Sequence, residues 1–210
     1  FNWYLFIKEY QLDMKKDTDK EIRYFGEIRT IEDSESRKVE GYAVIFNSQS
    51  EDLGFYETIE PSAITDEVIA KSDVFALMNH DNNRGILARS RRGKGSLSLT
   101  IDEKGLKYSF DAPKTALGNE LLEMLRRNDI TSSSFAFTVS NDGEKWEKRD
   151  GKYYRTITKI DRLYDVSPVY CPAYSETSVA CRSFNDILKI ESDNLTQYWD
   201  SLDKEIDSIE

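Results

Sequence analysis

The chain has 210 residues, of which 39% are hydrophobic, 12% aromatic and 32% charged, enough for one core of ordinary domain size with appendages. A mean hydropathy of −0.63 and the lack of any apolar run near the ~20 residues that span a bilayer exclude a helical membrane protein and point to a soluble one. The net charge of −10 argues against a nucleic-acid partner, because phosphate contacts need a basic surface.

The acidity is concentrated at the C-terminal end. Residues 184–210 carry eight Asp or Glu against Lys189 and Lys204, so the body of the chain is close to balanced. Such asymmetry marks a solvated appendage or interaction tail. Cys171 and Cys181 are too few for a disulfide framework, and a reducing compartment is expected. His80 is the single histidine, so any imidazole chemistry rests on it, and sites built from two His ligands are excluded. No metal and no cofactor is expected. Residues 1–20 lack both an initiator Met and a small-residue cleavage site, and are set aside as an N-terminal extension. Residues 21–183 form the expected domain.

From Glu21 the chain alternates as strands do, with Ile22, Tyr24, Gly26, Ile28 and Thr30 at period two, then Val39, Gly41, Ala43 and Ile45. A charged turn, Glu32 to Arg37, separates the two runs. Pro61 opens a helix-like segment to about Ala70, with Ser62 as its candidate cap. Asp73 to His80 reads as a strand. Arg84, Arg89, Arg91, Arg92 and Lys94 follow in a basic, Gly-rich stretch. Strands at Ser96–Ile101 and Leu106–Asp111 are joined by the turn at 102–105. Thr115 caps a helix reaching about Asn128, striped by Leu117, Leu121, Met124 and Leu125. Strands at 131–140, 152–160 and 163–169 complete the domain. About eight short strands and two or three helices predict a mainly β, β-rich α+β fold, with a compact β-barrel core and surrounding helices. In 184–210, Leu188, Leu195, Leu202 and Ile209 recur every seven residues, with Ser192, Trp199 and Ile206 between them. This predicts a C-terminal helix with a coiled-coil seam, free to self-associate or to pack on the body.

Residues able to carry chemistry are few. In the strand Ser132 to Phe137, Phe135, Phe137 and Val139 share one face, which must be core. Ser132, Ser134, Ala136 and Thr138 share the other, small enough for a substrate to approach; the same pattern also fits a plain surface strand. His80 ends a strand and is the only side chain titrating near neutral pH, although a lone His is commonly structural. Asp81 is a poor orienting partner because neighbours in an extended chain face opposite ways. Asp165, inside the apolar strand Leu163 to Val169, requires a partner if buried, or else sits on an edge. Ser167 and Cys171 are competing nucleophiles, each beside a proline. The Arg84–Lys94 patch is a solvated turn, a dock for an acidic segment, or the source of one Arg, such as Arg89, aimed at an oxyanion.

Taken together these pieces resemble a known family. Gly-Tyr-Ala-Val-Ile-Phe-Asn at 41–47, then Asn79-His80-Asp81 with Arg84 and Leu87-Ala-Arg89, resembles the front half of the tailed-phage prohead proteases. Ser-Phe-Ala-Phe at 134–137 resembles their nucleophile strand. Ser167-Pro-Val and Pro172-Ala-Tyr174, ending in Thr177-Ser-Val-Ala180, resemble their closing motif. The resemblance covers roughly residues 22–183.

The resemblance implies a serine endopeptidase of capsid maturation with a β-barrel core similar to herpesvirus assemblin. Its expected setting is the procapsid in the bacterial host cytoplasm. The expected partners are the scaffold or the scaffolding segment of the major capsid protein, and the chain itself, with dimers expected. By position, His80 corresponds to the catalytic His, Ser134 to the nucleophile, and Asp165 to the third member, where many relatives carry Glu. Ser132 is the alternative nucleophile. Two other readings stand beside it: a catalytically inactive capsid-assembly or scaffolding protein, and a β-barrel binding module with an aromatic-lined groove.

Overall fold

The computed structural model describes residues 20–30, 36–170 and most of 185–199. The chain divides into two compact units, Phe1–Tyr174 and Ser175–Glu210.

The first unit is mainly β, as expected. Its strands are β1 (Glu21–Thr30), β2 (Lys38–Ile45), β3 (Tyr56–Ile59), β4 (Asp73–Ala76), β5 (Ala88–Arg91), β6 (Lys94–Gly95), β7 (Ser98–Ile101), β8 (Gly105–Asp111), β9 (Ser132–Val139), β10 (Glu144–Arg149), β11 (Lys152–Ile157) and β12 (Ile160–Val169). The barrel expectation needs correction. Nine strands form an open sheet in the order β6-β5-β4-β12-β9-β1-β2-β8-β7, and three form a second sheet, β10-β11-β3. The larger sheet stays open, and Val39, Leu106, Phe137 and Leu163, from four of its strands, belong to one buried cluster.

Helix α1 (Asp66–Lys71) starts later than the sequence suggested: Pro61–Ala63 is a separate 3-10 turn, and Thr65, not Ser62, is the cap, accepting from Val68 N. Helix α2 (Ala116–Arg126) has the expected cap, with Thr115 Oγ1 accepting from Gly118 N at 3.2 Å. It buries Leu121, Leu122 and Leu125 against the core.

Bulges re-phase the strands, because one extra residue turns every following side chain to the other face. In β1 the register against β9 shifts between Tyr24 and Gly26. Ahead of the shift it is Glu21 and Arg23 that are buried, while Ile22 and Tyr24 are half-buried; beyond it Ile28 enters the core. In β2 a shift between Tyr42 and Val44 buries Val44 instead of Ile45.

Charge is buried on the inner face of β1. Arg155 of β11, 1% exposed, donates through Nη1 to Glu21 Oε2 at 2.7 Å and Glu57 Oε2 at 2.6 Å, and through Nε to Glu144 Oε2 at 2.6 Å. Arg23 donates through Nε to Glu57 Oε1 at 2.7 Å and through Nη2 to Glu21 Oε2 at 2.6 Å. Because Glu57 and Arg155 belong to the small sheet and Glu21 and Arg23 to the large one, this network ties the two sheets together.

In the second unit the described residues of 187–190, 192–193 and 195–199 are helical. Leu188, Leu195 and Trp199 of the expected seam are exposed. Leu202, Ile206 and Ile209 lie outside the described residues. No described helix is long and apolar enough to cross a membrane.

Candidate active site

Strands β9 and β12 run antiparallel at the middle of the large sheet, with Ser167 opposite Ser134 and Asp165 opposite Ala136. Directly paired residues share a face. A register shift between Leu163 and Asp165 therefore lets one strand serve two faces. Leu163, opposite Phe137, goes into the core, whereas Asp165 turns to the side of Ser134. Phe135 and Phe137 stack in the core at 4.5 Å between ring centroids, as the alternation in β9 requires.

His80 arrives from the neighbouring strand. β4 ends at Ala76, short of the strand to His80 expected from sequence. The chain then follows β12 as far as Asn79, through Leu77 N to Val166 O at 3.2 Å and Asn79 N to Pro168 O at 2.9 Å. There it turns sharply: Asn79 and His80 have φ of 54° and 59°. Left-handed backbone is uncommon for residues with a side chain, though Asn and His are among those that tolerate it, and such strain concentrates at functional sites. The turn points the imidazole back over β12 and β9.

The three side chains meet. His80 Nδ1 lies 2.5 Å from Asp165 Oδ1, and Nε2 lies 2.6 Å from Ser134 Oγ. The histidine side chain is 13% exposed and that of Asp165 2%. Ser167 Oγ donates to Asp165 Oδ1 at 2.8 Å, and Lys20 Nζ to Oδ2 at 3.0 Å. Burial pushes the Asp165 carboxyl pKa up, but the hydrogen bond and charge of His80, with the charge of Lys20, outweigh it and hold the pKa below the usual carboxylate range.

Each of the three serines has its own partner. Ser132 Oγ accepts from the Tyr24 hydroxyl, Ser133 Oγ lies 2.5 Å from the buried Tyr108 hydroxyl on the core side, and Ser134 alone reaches the histidine. Ser167 is spent on Asp165, and Cys171 lies outside the described residues. Asp81 faces away and accepts from Asn83 N at 2.8 Å.

Arg89 is not brought to this group. It is held in a two-pronged pair by Asp73 at 2.8 and 2.5 Å, and its guanidinium stacks 4.8 Å from the Phe75 ring centroid. Among the described residues no group of His, Cys, Asp or Glu is gathered to hold a metal. A surface cavity of about 520 Å³ between Ile28, Tyr42, Lys104 and Lys107 shares no residue with the serine–histidine–aspartate cluster, and among the described residues Tyr42 is the only aromatic lining it.

Sequence reasoning missed three parts of the site. Lys20 falls in the N-terminal extension, Ser167 has the pattern of a competing nucleophile rather than of a partner to Asp165, and the Arg23 carbonyl oxygen, 2.8 Å from Ser134 Oγ, leaves no trace in residue types.

Comparison with curated proteins gives no match, and comparison with solved structures gives none. A family model described as caudovirus prohead serine protease matches residues 26–190, a span that holds Ser134, His80 and Asp165. Both the extent of that match and its inclusion of all three converging side chains bear on what the chain is: it belongs to the caudovirus prohead serine protease family.

Proposed function

We propose that the chain is an active serine endopeptidase of capsid maturation, with Ser134 as nucleophile, His80 as general base and acid, and Asp165 as the group orienting the imidazole. The observation that carries this reading is the unbroken chain of contacts from Asp165 Oδ1 through His80, at 2.5 Å, to Ser134 Oγ, at 2.6 Å. An inactive scaffold has no need for these groups to converge from three distant segments.

In this reading Ser134 Oγ attacks the scissile carbonyl carbon and His80 Nε2 takes the hydroxyl proton. The carbonyl electrons move onto oxygen, where backbone N–H groups stabilise the charge, usually the largest single contribution. Collapse breaks the C–N bond as His80 returns the proton to the leaving amine, and water then releases the acyl group by the same steps. Asp165 stays ionised and stabilises the imidazolium.

The substrates that fit the family are the scaffold or the scaffolding segment of the major capsid protein, with the chain itself a further one, inside the procapsid in the host cytoplasm. The domain of 21–183 carries the chemistry. The acidic segment of 184–210, in which Leu188, Leu195 and Trp199 are exposed, supports association of two copies.

The test is co-expression with the major capsid protein encoded beside it, followed by intact mass measurement. Cleavage that disappears with Ser134→Ala and persists with Ser132→Ala is the expected result. Cleavage lost only with Ser132→Ala moves the nucleophile by two residues. Wild-type chain that cleaves nothing inside assembled shells returns it to the inactive scaffold reading.

A further inference from the structure

Both oxygens of the Asp165 carboxylate are occupied. Oδ1 carries His80 Nδ1 and Ser167 Oγ, and Oδ2 carries Lys20 Nζ at 3.0 Å. Lys20 stands immediately ahead of β1 with its ammonium 5.3 Å from the Tyr164 ring centroid. Its side chain is 31% exposed against 2% for Asp165. Ion pairs between two exposed groups count for little, but here one partner is buried, where the interaction is less screened. Lys20 also precedes residues 26–190, the span of the family match, so the family assignment gives it no role.

We propose that Lys20 is a positioning residue of the catalytic group, clamping the far oxygen of Asp165 and setting, through that carboxylate, the pH at which Ser134 becomes nucleophilic. The proposal rests on the reading of Ser134, His80 and Asp165 as the reacting group. Its geometric part is simple: Ser167 and His80 hold the same oxygen, so among the described residues only Lys20 fixes the other and stops the carboxylate from rotating. Its electrostatic part follows from charge. Among the described residues, the titratable groups facing Asp165 are His80, from the turn after β4, and Lys20. Its ladder neighbours Phe75 and Ala136, and Ser167 on its own strand, carry no charge. The ammonium offsets part of the carboxylate charge that favours a proton on the imidazole. Without it, the undiminished carboxylate charge faces the imidazole, and the acid limb of the reaction is expected to move to higher pH.

The test uses the full chain and diisopropyl fluorophosphate, which needs no knowledge of the natural cleavage site. Ser134 Oγ forms a bond to phosphorus, the P–F bond breaks, fluoride leaves and the hydroxyl proton passes to His80. The labelling rate is read by intact mass from about pH 5 to 9, the window in which imidazole titrates. In Lys20→Met and Lys20→Gln the acid limb of the rate is expected to lie about half a pH unit or more above wild type, as a cation within several ångströms requires. Lys20→Arg keeps the wild-type limb. An unmoved limb in both neutral variants overturns the role of Lys20 and leaves the reacting group intact. Wild-type chain that does not label, or label that survives Ser134→Ala, overturns the protease reading and this proposal with it.

Discussion

The Ser134 hydroxyl lies 2.8 Å from the main-chain carbonyl oxygen of Arg23 while also lying 2.6 Å from His80 Nε2. A hydroxyl has one proton, so the two acceptors compete for it. The carbonyl holds the proton when Nε2 is itself protonated, and the imidazole takes it when neutral. Ser134→Ala removes both bonds and leaves the Arg23 carbonyl without that donor. Cleavage is expected to fall by about four orders of magnitude or more. Stability should fall by only about 1 kcal/mol, a drop in Tm of about 2–4 °C for a chain of this size. Product masses and thermal unfolding on the same preparation check both halves, and a variant that still cleaves removes Ser134 from the chemistry.

Ser133 gives a purely structural contrast. Its hydroxyl is the partner of the Tyr108 hydroxyl, which lies 1% exposed in the core, where burial pushes the phenol pKa up. Ser133→Ala leaves a buried phenol unpaired and should cost about 1–3 kcal/mol. Removing both partners, with Ser133→Ala and Tyr108→Phe together, should recover much of that loss. Urea unfolding of the two single variants and the double variant measures the coupling. Strict additivity would mean that the two hydroxyls do not depend on each other.

The contrast between Ser133 and Ser134 shows what is legible in residue order. Period-two alternation in Ser132 to Val139 correctly put Phe135 and Phe137 in the core and Ser134 on the opposite face, because that strand has no bulge between these positions. Where a bulge intervenes, alternation misleads: in β1 it pointed Ile22 and Tyr24 inward, whereas Glu21 and Arg23 are buried. A buried charge is legible only through its partners, and those of Arg155 come from residues 21, 57 and 144, far apart in sequence. β10, Glu-Lys-Trp-Glu-Lys-Arg, was missed for a related reason, since its exposed charges hide the strand. The Asp150-Gly151 turn that follows, with φ of 50° and 74°, carried the hairpin signal. The open sheet was not legible at all, because alternation reports faces and says nothing of whether the first and last strands pair.

Acid stability follows from two buried carboxylates. Burial pushes Glu57 up, but the guanidinium groups of Arg23 and Arg155 outweigh it and hold it below its ordinary pKa, as His80 and Lys20 do for Asp165. A carboxyl with a lowered folded pKa contributes stability that is present above its unfolded value, near 3.9 for Asp and about 4.3 for Glu. That contribution is lost as pH falls through the folded value. The urea midpoint should therefore decline once pH falls below about 5. Asp165→Asn, which has no proton to take up, should lose less between pH 6 and pH 3 than wild type does. Equal losses in both chains would mean that Asp165 does not contribute to the acid limb of stability.

Arg155 offers the strongest test of the buried network. Its guanidinium is 1% exposed and contacts Glu21, Glu57 and Glu144 at once. Arg155→Met fills similar space but leaves Glu21 and Glu57 to share Arg23 and takes from Glu144 its guanidinium partner. Removing one member of a buried ionic group costs about 3–5 kcal/mol, because the charges left behind have lost their solvent as well as their partner. The variant is expected to unfold at a lower urea concentration at pH 7. The deficit should shrink toward pH 4, where the stranded carboxylates escape the penalty by taking up protons. Adding Glu57→Gln to Arg155→Met removes one of the excess charges and should restore part of the loss at pH 7. An Arg155→Met chain with the wild-type urea midpoint at pH 7 would mean that the desolvation of these five groups cancels their attraction, and that the two sheets are held together by apolar packing alone.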